Sequence, residues 1–139
     1  MHGDDYCAPA FCASEYVRDR VLSGAKLGAD AIIRIHKERA EMQSGFLNAI
    51  REYDALITPT TPTTAIPVDE VDDSINPAHF TRPFNFLGMC GVALPIGLDQ
   101  SGLPTSLQVV ARGRDEAMAL RVAAAFERAR GPIGAPPLQ

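Results

Sequence analysis

No serine in this chain stands at the centre of a Gly-x-Ser-x-Gly elbow or in a Gly/Ser-rich turn after a strand, the settings that present a hydrolytic nucleophile. The serines are Ser14, Ser23, Ser44, Ser74, Ser101 and Ser106, and Ser14 and Ser101 already read as a helix cap and a turn residue. A basic excess is missing too. Thirteen Lys and Arg against 17 Asp and Glu leave a formal charge of -4, which excludes the phosphate-neutralising surface of a nucleic-acid binder. Lysine is confined to Lys26 and Lys37, both read as solvated helix-surface groups. The remaining cations are arginines, whose planar guanidinium forks onto carboxylates.

Cysteine is scarce and odd in number: Cys7, Cys12 and Cys90 have no framework spacing, and no charged n-region with an apolar h-region opens the chain. A reducing cytoplasm is the expected compartment. No apolar run approaches the roughly 20 residues of a membrane helix, since Pro95 and Gly97 interrupt the longest. His2, Cys7 and Cys12 match no zinc spacing, so neither a metal nor any other cofactor is expected. His36 falls on an apolar stripe between Ile33 and Ala40, the pattern of a hydrogen-bonded core or interface histidine. Cys90 reads as a small buried hydrophobe with no adjoining cation to activate it.

What is present is enough for one core: 139 residues, 46% of them apolar, without an internal repeat. Residues 1–12 read as an irregular entry arm, residues 13–131 as one α/β domain, and the Pro-rich residues 132–139 as a disordered tail. Ser14 is placed to cap a helix with Val17, Val21, Leu22 and Ala25 on one face, fraying at Gly24 and Gly28. A longer helix is expected over residues 29–53. Its two neighbouring apolar stripes, one through Ile32, Ile35, Met42 and Phe46 and the other through Ile33, Ala40, Leu47 and Ile50, predict burial over a wide face.

Ala55, Leu56 and Ile57 are too few for a helix before Pro59 and predict a buried strand. Residues 59–67 hold three prolines and four threonines, which predicts extended, unpaired backbone carrying hydroxyls. Asp69, Glu70, Asp72 and Asp73 follow as a solvated loop. Thr81 is expected to cap a helix with Pro83 in its first turn, stopped at Gly88 or Gly91. Residues 92–98 and 103–111 flank Asp99-Gln100-Ser101-Gly102 as a hairpin, with Pro95 requiring an edge position or an unpaired stretch. Asp115 is expected to cap a last helix that turns Val122, Ala123 and Phe126 inward and ends near Gly131.

Several motifs in register resemble the C-terminal portion of the amidase signature family. They are Tyr53-Asp54-Ala55-Leu56-Ile57-Thr58-Pro59-Thr60, Thr81-x-Pro83-x-Asn85-x-x-Gly88, Leu94-Pro95-x-Gly97, and Gly102-Leu103-Pro104-x-x-Leu107-Gln108, with Arg18-x-Arg20-Val21-Leu22-x-Gly24 upstream. The resemblance implies an α/β fold with part of a mixed β-sheet flanked by helices, and makes residues 13–131 the amidase C-terminal domain. It also implies that the catalytic Ser, cis-Ser and Lys lie in a region N-terminal to these motifs. The chain is then expected to be inactive alone, a substrate-pocket-forming portion of a hydrolase of amide bonds.

The partner implied is the N-terminal catalytic portion or a second copy of the chain, with a small amide substrate in the complete enzyme and neither nucleic acid nor membrane. By the same resemblance Ile75, Ala78, Thr81, Arg82, Asn85 and Thr60 face the substrate. Ile75, Ala78 and Arg82 share one face if the helix begins early, and Asn85 continues it. Glutamine-using members carry an acid where Ala78 stands, so a tRNA-amidating role is disfavoured. Arg82 either forks onto a substrate carboxylate or pairs with the acidic loop at residues 69–73. Cys90 departs from the family, which usually has a proline there. The alternative is a non-catalytic binding or self-association module.

Overall fold

The computed structural model describes residues 15–72 and 77–133. The entry arm at residues 1–12, the cap at Ser14, Ile75 and Asp73, and the end of the expected tail lie outside the described residues. Among the described residues four α-helices and three strands follow in the order α1 (Glu15–Ala25), α2 (Ala29–Ala49), β1 (Leu56–Pro59), α3 (Arg82–Phe86), β2 (Cys90–Leu98), β3 (Pro104–Ala111) and α4 (Glu116–Arg130), with a 3-10 turn at Val68–Glu70 before α3. The sheet has the order β1-β3-β2 and both pairings are antiparallel. The α/β class read from the sequence is therefore found, with helices flanking a small open sheet.

Packing begins at β3. Its central position pairs it on both sides, so Leu107, Gln108, Val109, Val110 and Ala111 are all buried, and Val109 and Val110 completely so. Leu94, Leu107, Val109 and Ala123 form the core cluster, with Ala55, Val92, Val122 and Phe126 against it. Each large apolar side chain fully buried there contributes on the order of 1.5–3 kcal/mol. Val122, Ala123 and Phe126 thus turn inward as the helical spacing predicts. The Asp115 carboxylate accepts from the Met118 amide at 3.3 Å, as a cap should, and Gly131 closes the helix with φ 80°. Pro95 also behaves as expected. It sits on an edge strand at a register shift between Pro95 and Gly97, and its carbonyl accepts from the Arg130 guanidinium.

Other expectations fail for physical reasons. The long helix stops at Ala49, because Ile50 leaves helical geometry (φ -100°, ψ 13°) and the distant Arg112 guanidinium donates to the Ile50 and Arg51 carbonyls at 3.1 and 3.0 Å. Its two stripes do not make a buried face. No residue of α2 is buried, and Ile33 is 67% and Met42 59% exposed. His36 is exposed and so is not a core histidine. β1 is a half-exposed edge strand and not a buried one, with Ile57 56% exposed, and the backbone beyond it keeps one more ladder bond, from Thr60 N to Ser106 O at 3.1 Å. The hairpin strands start at Cys90 and Pro104, a shift of two residues and one residue from the sequence reading. Cys90 is half-buried, its thiol donating to the Arg112 carbonyl at 3.1 Å.

Two contacts position α3. The buried Gln108 side-chain amide donates to the Phe80 carbonyl at 2.8 Å and the Thr58 hydroxyl at 2.9 Å, with the Pro59 carbonyl at 3.4 Å, so one group ties the sheet to the turn before α3. At the other end Gly88 takes φ 69°, the Gly88 amide reaches the Asn85 carbonyl and the Met89 amide reaches the Phe84 carbonyl at 2.9 Å. That pair of bonds is a Schellman stop. Gly113 lies against it so closely that a Cβ there would meet the Gly88 carbonyl oxygen at 2.3 Å.

Gly113→Ala should therefore force backbone movement and cost about 1–3 kcal/mol in urea denaturation. Gly45→Ala, in mid α2 with nothing within 4 Å of the new carbon, should instead stabilise by roughly 0.5–1 kcal/mol. Equal effects of the two would contradict the close approach. Gln108→Leu should cost about 1–3 kcal/mol for the acceptors it strands, and Gln108→Glu should be worse at neutral pH than in mild acid. A Gln108→Glu protein with no pH-dependent loss relative to wild type would show that the amide is not a donor strut.

Candidate functional site

α3 has only five residues, too short to hold itself. Pro83 in its first turn presets the backbone, as the sequence indicates. Thr81 does not cap it: its backbone is helical (φ -93°, ψ -34°) and its side chain makes no cap bond. The chain instead enters through a turn in which the Arg82 amide reaches the Ala78 carbonyl at 2.8 Å and the Asn85 amide reaches the Thr81 carbonyl at 3.1 Å. The turn supplies what the hydroxyl was expected to. Its carbonyls are held at the far end by α2, where Gln43 donates to Leu87 at 2.7 Å, Arg39 donates to Phe86, and the Arg39 guanidinium lies 5.7 Å from the Phe86 ring centre. A cation at a helix C-terminus is favourably placed against the peptide dipoles. Phe46 meets Phe84 edge-on at 6.1 Å between centroids.

Held this way, the outer side of α3 and its entry turn border a cavity of about 420 Å³ lined by Arg20, Ala78, Thr81, Arg82 and Asn85. Four of the six residues singled out from the sequence are thus brought together, although the helix itself does not begin early. Ile75 lies outside the described residues, and Thr60 does not line the cavity. Thr60 has a different peculiarity. Its hydroxyl is closed off from solvent and has no hydrogen-bond partner in the structure. Such a group costs about 1–3 kcal/mol when nothing completes it.

The sequence presents Arg20 only as part of a motif, not as a site residue. A signal for it exists: an arginine on a helix whose apolar side predicts packing back toward the rest of the fold. Arg82 is exposed and forms no ion pair with Asp69, Glu70 or Asp72, so pairing with that part of the acidic loop is not found among the described residues. The cavity thus carries two guanidiniums, a hydroxyl and a carboxamide. A set of this kind has the chemistry to hold an anion, with neutral donors to orient it. No group of His, Cys, Asp and Glu able to hold a metal occurs among the described residues, and no helix among them is long and apolar enough to cross a membrane.

The amidase family model matches residues 9–120. The A subunit of glutamyl-tRNA(Gln) amidotransferase from Rhodospirillum rubrum is 40% identical over 124 residues, 83% of this chain and 25% of the relative. Its counterpart in Geobacter sp. strain M21 is 38% identical over 100 residues, 69% of this chain and 21% of the relative. Among solved structures, an amidase superposes with a TM-score of 0.76 at 28% identity over 94% of this chain and 32% of its own. The corresponding amidotransferase polypeptide of Thermotoga maritima superposes with a TM-score of 0.60 at 27% identity, over 86% of this chain and 28% of its own. The chain spans about a fifth to a quarter of the length of these curated relatives. With the family model covering most of its residues and the fold shared, the chain belongs to the amidase family.

Proposed function

We propose that this chain is the substrate-pocket-forming portion of an amidase-type hydrolase of carbon-nitrogen bonds, inactive alone, whose substrate carries a carboxylate near the scissile amide. The observation that carries the reading is the convergence of Arg20, Thr81, Arg82 and Asn85 on one cavity in a chain of the amidase family. Hydrolysis through a covalent intermediate needs a nucleophile, a base and an oxyanion hole together. No serine found here meets that need, so the groups that break the bond belong to the part of the fold this chain does not span. What these residues do is bind and orient: the guanidiniums take the charged end, and the Asn85 amide and Thr81 hydroxyl set its rotation. Ala78 offers no counter-charge to an α-ammonium, which favours a simple acidic amide over glutamine. The orphan Thr60 hydroxyl is the second contact we assign to the completed pocket.

A second reading, a self-association module, is favoured by one observation: Ile32, Ile33, Ile35 and Met42 on α2 are between 40% and 67% exposed. Large apolar side chains left exposed along one helix are what an interaction face requires. Sedimentation equilibrium that finds only monomer at high concentration would remove this reading.

The test of the first is complementation of the chain with the remaining segment of the superposed amidase, followed by assay of paired amides with and without a carboxylate. The chain alone should give no turnover and the mixture should give some. Arg82→Ala, and separately Arg20→Ala, should raise KM for the acidic amide about ten- to a hundredfold, the loss of one charged hydrogen-bonding partner, while the neutral amide is unaffected. Unchanged KM for both amides would defeat the carboxylate assignment, and turnover by the chain alone would defeat the division of labour.

A further inference from the structure

We propose that the Asp99 carboxylate is a latch that positions residues 61–64 against the β2-β3 turn and thereby fixes the wall between two cavities. The segment needs one. Pro62 has no amide hydrogen to donate, and beyond the ladder bond at Thr60 no backbone hydrogen bond ties residues 61–64 to the rest of the described chain. The Thr61 hydroxyl turns inward to the Thr63 carbonyl at 2.8 Å. Among the described residues the hydrogen bond that links the segment outward runs from the half-buried Thr64 hydroxyl to Asp99 Oδ2 at 2.9 Å, across 35 positions of sequence.

Asp99 is well built for the task. Its other oxygen, Oδ1, accepts from the Ser101 and Leu103 amides at 2.8 and 2.9 Å, while its own amide donates to the Leu103 carbonyl at 2.8 Å. The carboxylate is thus locked into the turn by one oxygen and reaches the threonine loop with the other. Thr61, Pro62, Thr63 and Thr64 line both a cavity of about 440 Å³, closed on its far side by Glu70, Val71 and Asp72, and one of about 270 Å³ against Ile96 and residues 104–106. Releasing Thr64 frees the partition between them.

The latch depends on charge. The Leu103 amide and then the Thr64 hydroxyl hold the Asp99 carboxyl below its ordinary value, partly offset by desolvation and helped by the Ser101 amide. All these groups are neutral donors. The titratable groups on the other side of the segment are Glu70 and Asp72, in the larger cavity, and the smaller cavity has none. With the folded value depressed, the contact is fully made above the ordinary carboxylate range and is lost as pH falls through the depressed value.

The proposal does not rest on the amidase reading, and its test needs no activity. In an acid titration of the isotopically labelled chain followed by NMR, the amides of residues 63–65 should move with the same midpoint as the Asp99 carboxyl carbon and the Ser101 and Leu103 amides. In Thr64→Val, residues 63–65 should lose that transition, while Ser101 and Leu103 keep theirs with the midpoint displaced upward. Thr64→Ser should restore the coupling. Asp99→Asn should abolish the transition in both sets. Amides 63–65 that ignore Asp99 in the wild type, or that follow it unchanged in Thr64→Val, overturn the latch.

Discussion

The side-chain amide of Gln108 ties the sheet to the turn that leads into α3, a segment that lies outside the ladder. β3 is the middle strand, and its buried glutamine reaches out of the ladder to the last residues of β1 and to the turn that leads into α3. A buried polar group is costly unless its bonds are made, so the same group that tethers these segments also punishes any arrangement that separates them. Apolar packing of Leu94, Leu107, Val109 and Ala123 on the α4 side gives the sheet its cohesion but carries no directional information about the opposite face. The glutamine supplies that direction. Arg39, Gln43 and Arg112 do comparable work at the helix ends, each closing carbonyls that belong to a distant part of the chain.

The elements most legible in the sequence are those whose determinants are local. Asp115 and Gly131 bracket α4, Pro95 marks the edge strand, and Asp99 with Gly102 marks the hairpin turn, because a cap, a missing amide hydrogen and a positive φ are properties of one or two residues. The C-terminal limit of α2 was not legible, since the group that ends it is Arg112, about 60 residues away. The expected wide buried face of α2 failed for a related reason: periodicity reports which side of a helix is apolar, not whether this chain provides something to cover it. The clustering of Ala78, Thr81, Arg82 and Asn85 came through the family resemblance and is present in the fold, yet Arg20 entered only when α1 could be placed beside them.

The division between what the chain holds and what it does not is physical as well as a matter of length. It has a well-packed sheet core around β3, but Ile32, Ile33, Ile35 and Met42 on α2 remain open to solvent, and the Thr60 hydroxyl is buried with nothing to bond. Bare apolar surface and an uncompensated polar atom thus occur together in one chain. The chain itself spans about a quarter of the length of the Rhodospirillum rubrum relative.

The shortness of α3 has a consequence of its own. A helix of five residues has barely one turn in which to recover the cost of nucleation, so its shape is not written in residues 82–86. It is stored in Gln108, Arg39, Gln43 and the paired glycines at positions 88 and 113, which surround it from four separate parts of the sequence. The side chains that face the cavity are consequently free to vary without endangering the helix that displays them. Selection can change the side chains that line the cavity while the frame stays fixed.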